Sequence, residues 1–101
     1  MANQDEAQTN GEIDSDKTQI MIVDDEENIL NLMKLALHSM GHKVTVCSDA
    51  ENAIEKIKKE TYDLVITDLM MPKLSGTEFV KKAKEISPKT DLVIMTGYPT
   101  V

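Results

Sequence analysis

Acidic side chains follow two short apolar runs of the sequence, and a hydroxyl side chain follows a third. Asp24 and Asp25 come directly after the first run, and Asp68 comes directly after the second. Thr96 takes the corresponding place after the third. Three carboxylates gathered in one place would disfavour one another's ionisation unless a cation lay between them. Magnesium suits such a site because it prefers oxygen ligands. An aspartate is also a nucleophile that can form a covalent phosphoryl intermediate.

These side chains can meet only if the apolar runs are strands of one sheet. The runs are short and partly β-branched, as buried strands are, at Ile20–Val23, Lys43–Cys47, Leu64–Thr67 and Asp91–Met95. Helical patterns separate them, the first from about Glu27 to Met40. Strands joined by helical crossovers form a parallel sheet with helices on both faces, so the sequence predicts an α/β domain. Ligand sites in such sheets lie beyond the carboxyl ends of the strands.

The helices carry recognisable boundaries and buried faces. The first has apolar residues at helical spacing, namely Ile29, Leu32, Met33, Ala36 and Met40, with Leu30 and Leu37 widening the stripe. Gly41 is the residue type expected just past its end. The other two are predicted to begin at serines followed three residues later by glutamate, Ser48 with Glu51 and Ser75 with Glu78. Pro88 ends the third helix because the residue before a proline avoids the helical region.

Composition limits the function classes. The 101 residues suffice for one domain, and the net charge of −7, with lysine as the only cationic residue type, leaves no basic stripe for nucleic acid. No apolar run reaches the roughly 18–20 residues of a membrane span, and no secretory signal is visible. A single cysteine fits the reducing cytoplasm. Residues 1–17 are acidic with little to bury, which predicts a disordered tail before a folded domain over residues 18–101.

Three segments carry a family resemblance. MIVDDEENI, LVITDLMMPKLSG and LVIMTGYPT resemble the receiver domains of two-component response regulators, and the resemblance extends from about Lys17 to Val101. It implies a flavodoxin-like doubly wound parallel sheet with the strand order 2-1-3-4-5. It also implies a cytoplasmic phosphorelay function with Mg2+, in which the phosphoryl donor is a histidine kinase or a phosphotransfer protein. Such a domain catalyses only its own phosphorylation and dephosphorylation before switching conformation.

The resemblance assigns a role to each matching position. Asp68 corresponds to the phosphoacceptor, and Asp25 to the acid that coordinates magnesium directly. Asp24 corresponds to a neighbour that acts through a bound water, and Met70 to the residue whose backbone carbonyl completes the metal site. Thr96 corresponds to the hydroxyl that moves to the phosphoryl group on activation. The loop after the phosphoacceptor is matched by two further residues, Pro72 and Gly76.

One family feature has no counterpart here. Receivers carry a lysine at the end of a fifth strand, and this sequence ends at Val101 before such a strand. We therefore expect the fifth strand and the last helix to be absent, which would leave the fourth strand as an exposed edge able to mediate self-association. Lys73 lies near the expected site but matches no family position, and an exposed loop charge is the simpler interpretation.

Two other functions remain open from the sequence. A degenerate receiver could act as a protein-interaction module that takes no phosphoryl group. A haloacid-dehalogenase-type Mg-dependent phosphatase is less favoured, because it needs a second aspartate where Met70 stands, and methionine transfers no proton. His38 could in principle carry a phosphoryl group, but a helical surface residue is the better interpretation. Cys47 is interpreted as a small buried hydrophobic residue.

Overall fold

Strands and helices alternate along the whole of the described chain. A computed structural model of the protein describes residues 18–69 and 74–95. Its elements are β1 (Gln19–Val23), α1 (Glu27–Ser39), β2 (Lys43–Cys47), α2 (Ala50–Lys59), β3 (Leu64–Asp68), α3 (Gly76–Ile86) and β4 (Asp91–Met95). The predicted alternation and the four strands are confirmed. The acidic tail of residues 1–17 lies outside the described residues.

The four strands form one parallel sheet in the order β2-β1-β3-β4. This confirms the flavodoxin-like arrangement and the first four positions of the expected order. The register places Val23 beside Cys47 on one side and beside Thr67 on the other, and it places Asp68 beside Met95. The carboxyl ends of the strands are therefore level with one another, so residues that follow them meet at one edge of the sheet.

Helices cover both faces of the sheet. Strand β1 is buried on both sides, since Met21 and Val23 belong to the core beneath α2 and α3, whereas Ile20 and Ile22 belong to the core beneath α1. Phe79 on α3 is fully buried in the larger core. Strand β4 is the less protected edge, with Val93 47% and Ile94 44% exposed. The sheet is thus best protected at β1, the strand that leads to Asp24.

The buried face of α1 differs from the predicted stripe. The helix is held against the sheet by Leu30, Met33 and Leu37, of which Leu30 is buried. Three residues predicted to be in the core are exposed instead, namely Leu32 at 67%, Met40 at 68%, and Ala36. That part of the prediction was wrong because apolar residues surround much of this helix. A helix on one face of a sheet can bury only one side.

The helix boundaries confirm one predicted N-cap and correct the other. The Ser75 hydroxyl accepts a hydrogen bond from the Glu78 backbone N–H at 3.2 Å, as the capping box predicts. At α2 the N-cap is Asp49, not Ser48, and its carboxylate accepts from the Glu51 N–H at 2.7 Å. Gly41 follows α1 with φ of +93°, as expected of a residue just past a helix end. None of the described helices is long and apolar enough to cross a membrane.

Candidate functional site

The turn after β1 holds two acidic side chains in a fixed conformation. The Asp24 backbone N–H donates to the Cys47 carbonyl at 3.0 Å, which extends the contact between β1 and β2 by one residue. The Asp24 Oδ1 accepts from the Glu26 N–H at 2.9 Å, so the chain turns directly into α1. Asp24 is only 4% exposed, whereas Asp25 is exposed to solvent. One carboxylate is therefore buried and fixed by the turn, and its neighbour is accessible to solvent.

The third carboxylate comes from the end of β3. Because Val23 pairs with Thr67, the residues that follow them lie side by side at the edge of the sheet. Asp24, Asp25 and Asp68 each place a carboxylate oxygen there, and these oxygens all lie within 4.8 Å of one another. The structure thus brings together the three acids that the sequence predicted to meet.

The electrostatics of this acidic cluster favour a cation. Burial raises the pKa of Asp24 above its ordinary value, and the charges of Asp68, Asp25 and Glu26 raise it further. The hydrogen bond from the Glu26 N–H opposes these effects. A buried carboxylate among other acids is costly to ionise, and a divalent cation would relieve that cost. Three hard oxygen donors within this distance fit a magnesium ion, which takes oxygen ligands and keeps several waters.

The two remaining predicted site residues lie outside the described residues. Thr96 follows Met95, which pairs with Asp68 across β3 and β4. The Leu69 N–H donates to the Met95 carbonyl at 3.2 Å, so the ends of these strands stay together beyond Asp68 itself. Met70 is next in the chain after Leu69. Their roles therefore stay predictions.

Two residues beside Asp68 make contacts that the sequence did not reveal. The Thr67 side chain is fully buried, and its hydroxyl donates to the backbone carbonyl of Asp68 at 3.1 Å. The N–H of Gly76, the first residue of α3, donates to the Leu69 carbonyl at 2.8 Å. Gly76 was noted only as part of a sequence motif. Its position against the strand end depends on how the loop returns, which spacing alone does not predict.

The two histidines lie away from this cluster. His38 is exposed near the end of α1, and His42 follows the turn toward β2. Both histidines therefore lie at the amino ends of the strands, opposite the end that carries the acids. Cys47 is 3% exposed, as predicted, and burial raises the pKa of its thiol. Pro72 and Lys73 lie outside the described residues. The acidic cluster is therefore the candidate site of this domain.

Comparison with known proteins identifies the family. The sequence profile of the response regulator receiver domain matches residues 20–101. The chain belongs to the receiver domain family of two-component response regulators. Receivers are signalling domains, and receivers generally bind Mg2+ at an acidic pocket. This assignment confirms the resemblance seen in the three motif segments, and it separates the chain from the haloacid dehalogenases.

A curated relative of this receiver is a transcriptional regulator. The alkaline phosphatase synthesis transcriptional regulatory protein PhoP of Bacillus subtilis is 36% identical over 78 residues. The aligned region covers 77% of this chain but only 32% of PhoP. The chain thus spans about a third of the length of PhoP.

Solved receivers have the same fold. A CheY-like receiver from Methanospirillum hungatei matches with a TM-score of 0.80 and 32% identity, covering 84% of this chain and 68% of that one. TrrA of Thermotoga maritima, in complex with the histidine kinase ThkA, matches with a TM-score of 0.76 and 32% identity over 82% of this chain and 72% of TrrA. TrrA has also been crystallised with Mg2+ and beryllofluoride. That structure matches with a TM-score of 0.76 and 33% sequence identity, covering 80% of this chain and 70% of that one.

Proposed function

We propose that this receiver accepts a phosphoryl group on Asp68 with the help of Mg2+. The observation that carries the proposal is the approach of three carboxylate oxygens to within 4.8 Å at the carboxyl edge of the sheet. Asp25 would bind the metal directly, Asp24 through a water molecule, and Asp68 as both ligand and nucleophile. The Met70 backbone carbonyl would complete the set, by resemblance to the family.

The reaction needs little covalent chemistry beyond the nucleophile. A carboxylate oxygen of Asp68 attacks phosphorus, a new O–P bond forms, and the bond from phosphorus to the donor breaks as the donor group leaves with its electron pair. Bound Mg2+ would neutralise charge on the phosphoryl oxygens. The fixed turn at Asp24 and the sheet at Asp68 keep the acids in position, which lowers the entropic part of the barrier. Attack by water later returns the free carboxylate and phosphate.

The phosphoryl group would then act as a conformational signal. It adds charge and acceptor oxygens next to the end of β4, by analogy with other phosphorylated side chains. The Thr96 hydroxyl can donate one hydrogen bond to such an oxygen, and that contact would draw the chain after Met95 toward Asp68. In this proposal the domain is a switch that catalyses only its own phosphorylation and dephosphorylation.

The proposed donor is a histidine kinase or a phosphotransfer protein in the cytoplasm. The complex of TrrA with ThkA supports this partner class, since TrrA shares the fold and 32% of its aligned residues with this chain. We further propose that the 101-residue polypeptide associates with itself through β4. Among the described strands β4 pairs with β3 alone, and its Val93 and Ile94 side chains are about half exposed.

Beryllofluoride provides the test, because it mimics a phosphoryl group on a carboxylate. Backbone amide NMR spectra are recorded with Mg2+ alone and with Mg2+ and beryllofluoride. We expect beryllofluoride to shift the amides around Asp25, Asp68 and Met95 in the wild-type protein. Asp68→Asn should abolish those shifts, whereas Asp91→Asn, at the opposite end of β4, should retain them. A wild-type spectrum that does not change would contradict the proposal and favour the degenerate interaction module.

A further inference from the structure

The backbone after Asp68 lies unusually close to the first residue of α3. Gly76 is buried, and its N–H donates to the Leu69 carbonyl at 2.8 Å. A Cβ placed on Gly76 would lie 2.5 Å from the Asp68 carbonyl oxygen and 2.6 Å from the Leu69 Cα. Both are backbone atoms, which cannot rotate away as the end of a side chain can. Any side chain at Gly76 must therefore push α3 and the end of β3 apart.

The same short piece of backbone is held from the sheet side. The Thr67 hydroxyl donates to the Asp68 carbonyl at 3.1 Å, and the Leu69 N–H donates to the Met95 carbonyl at 3.2 Å. We call the contacts of Thr67, Gly76 and Met95 with Asp68 and Leu69 the strand-end clamp. Because the clamp acts from both sides, the backbone that carries the Asp68 carboxylate has little freedom to shift.

We propose that Gly76 and Thr67 are positioning residues for the Asp68 carboxylate. The absence of a side chain at Gly76 lets α3 lie against the strand end, and this fixes the carboxylate relative to Asp24 and Asp25. The inference rests on the proposed function, which needs these acids in register. Group transfer is sensitive to displacements of about 1 Å, which can lower a rate about 100-fold.

The test compares Gly76→Ala with a glycine variant far from the site. Gly41→Ala is the control, since Gly41 has φ of +93° and a Cβ there meets nothing within 4 Å. Alanine at Gly41 is strained by its backbone conformation alone, so it lowers stability without touching Asp68. Thr67→Val is the second variant, because it keeps the shape of the side chain and removes the hydrogen bond. Each variant is compared with wild type at a temperature where its amide spectrum is that of a folded protein.

Three quantities are measured: the Mg2+ dissociation constant, the rate of labelling by acetyl phosphate, and the metal-free amide shifts of Asp24, Asp68 and Leu69. We expect Gly76→Ala to weaken Mg2+ binding and slow labelling by about tenfold or more. Thr67→Val should have an effect of about threefold or more in the same direction. Gly41→Ala should change the Mg2+ dissociation constant and the labelling rate by less than about twofold. This should hold even where its melting temperature falls as far as that of Gly76→Ala.

The outcomes separate positioning from a general loss of stability. Wild-type affinity and labelling in Gly76→Ala, or equal losses in Gly41→Ala, would overturn the inference. If Gly76→Ala does not fold, Thr67→Val decides, and unchanged values there overturn it as well. If the wild-type protein takes no label and no Mg2+, the proposed function has failed. The metal-free shifts still test the positioning, which requires a larger change at Asp68 in Gly76→Ala than in Gly41→Ala.

Discussion

Asp24 is a buried acid whose negative charge is held in place by the local fold. Its carboxylate accepts the Glu26 N–H, which fixes the turn into α1, while burial and the neighbouring acids raise its pKa. The folded protein therefore holds the Asp24 proton more tightly than the unfolded chain, whose ordinary pKa is 3.8. As the pH rises from the pKa of Asp24 in the unfolded chain to its higher pKa in the folded protein, the free energy of unfolding falls. Above the folded pKa this contribution to stability is completely lost.

This sign leads to a testable stabilisation by Asp24→Asn. The amide keeps the acceptor oxygen for the Glu26 N–H and removes the charge. Without metal at pH 7 we expect the melting temperature to rise by about 2–8 °C, which corresponds to roughly 0.5–1 kcal/mol for a domain of this size. The difference in melting temperature between Asp24→Asn and the wild-type protein should shrink as the pH is lowered toward 4. Thermal melting in EDTA across this range measures it, with the exposed acid variant Asp91→Asn as control. A less stable Asp24→Asn at pH 7 would show that the charge is not costly.

Asp25 is expected to carry much of the metal affinity. Its carboxylate is exposed yet lies within the acidic cluster. Asp25→Asn should weaken Mg2+ binding by about tenfold or more, since even indirect supporting groups contribute tenfold to metal sites. Glu26→Gln is the matched control, because it removes an equal charge one residue away and should have a clearly smaller effect. Amide shifts followed during a Mg2+ titration give both affinities, and an unchanged affinity in Asp25→Asn would refute the metal assignment.

The acids of the site were predictable because they directly follow recognisable strands. Parallel strands in register bring Asp24, Asp25 and Asp68 to the same end of the sheet. Their positions in the sequence were therefore enough to predict that they meet. The hydrogen bonds from Thr67 to the Asp68 carbonyl and from Gly76 to the Leu69 carbonyl were not predictable. They depend on how closely α3 returns to β3, which is a distance in three dimensions and leaves no periodic pattern in the sequence.

At the scale of elements, strand and helix positions were largely predictable and their detailed boundaries were less so. Strand β2 and strand β4 have the predicted bounds, because each is a short run between clear helix and turn signals. The buried side of α1 was partly misassigned, because Leu32 and Met40 are apolar yet face away from the sheet. Thr90 was not singled out at all. Its hydroxyl donates to the Tyr62 carbonyl at 2.7 Å, a contact set by the packing of two turns distant in sequence.

The N-cap of α2 gives a direct comparison of sequence and structure. Ser48 has the capping-box spacing, but the Asp49 carboxylate accepts from the Glu51 and Asn52 N–H groups. Asp49→Ala should therefore lower the free energy of unfolding by about 1 kcal/mol, within a range of roughly 0.5–2 kcal/mol for such caps. Ser48→Ala should change it by less than about 0.5 kcal/mol. Urea denaturation with unchanged m-values measures both, and a larger loss in Ser48→Ala would restore the original capping prediction.

At the scale of the whole molecule, the side chains of β4, one outer strand of the described sheet, are more exposed than those of β2, the other outer strand. The β4 edge exposes Val93 on the face covered by α1 and Ile94 on the opposite face. An edge strand with apolar side chains offers unpaired backbone groups to another chain. The polypeptide of 101 residues is therefore expected to associate, and an added charge on this edge should oppose that association.

Val93→Lys tests this expectation. Wild-type protein should sediment as a concentration-dependent dimer or larger species, and Val93→Lys should shift it toward the monomer because lysine on an edge strand discourages pairing. Leu35→Lys is the matched control, since Leu35 is 71% exposed on α1, away from the edge. It adds the same charge and should leave association unchanged. A wild-type protein that is monomeric at every concentration, or equal effects of the two variants, would rule out the β4 interface.

Covalent labelling by acetyl phosphate tests most directly whether the acidic cluster is a magnesium-dependent phosphoacceptor site. The protein is incubated with the donor in Mg2+ or in EDTA, trapped with borohydride, and mapped by mass spectrometry. We expect one label per chain, on Asp68, formed rapidly in Mg2+ and barely in EDTA. The label should be absent from Asp68→Asn and present at the wild-type level in Asp91→Asn. Labelling of another residue, labelling that persists in Asp68→Asn, or equal labelling in EDTA would contradict the central claim.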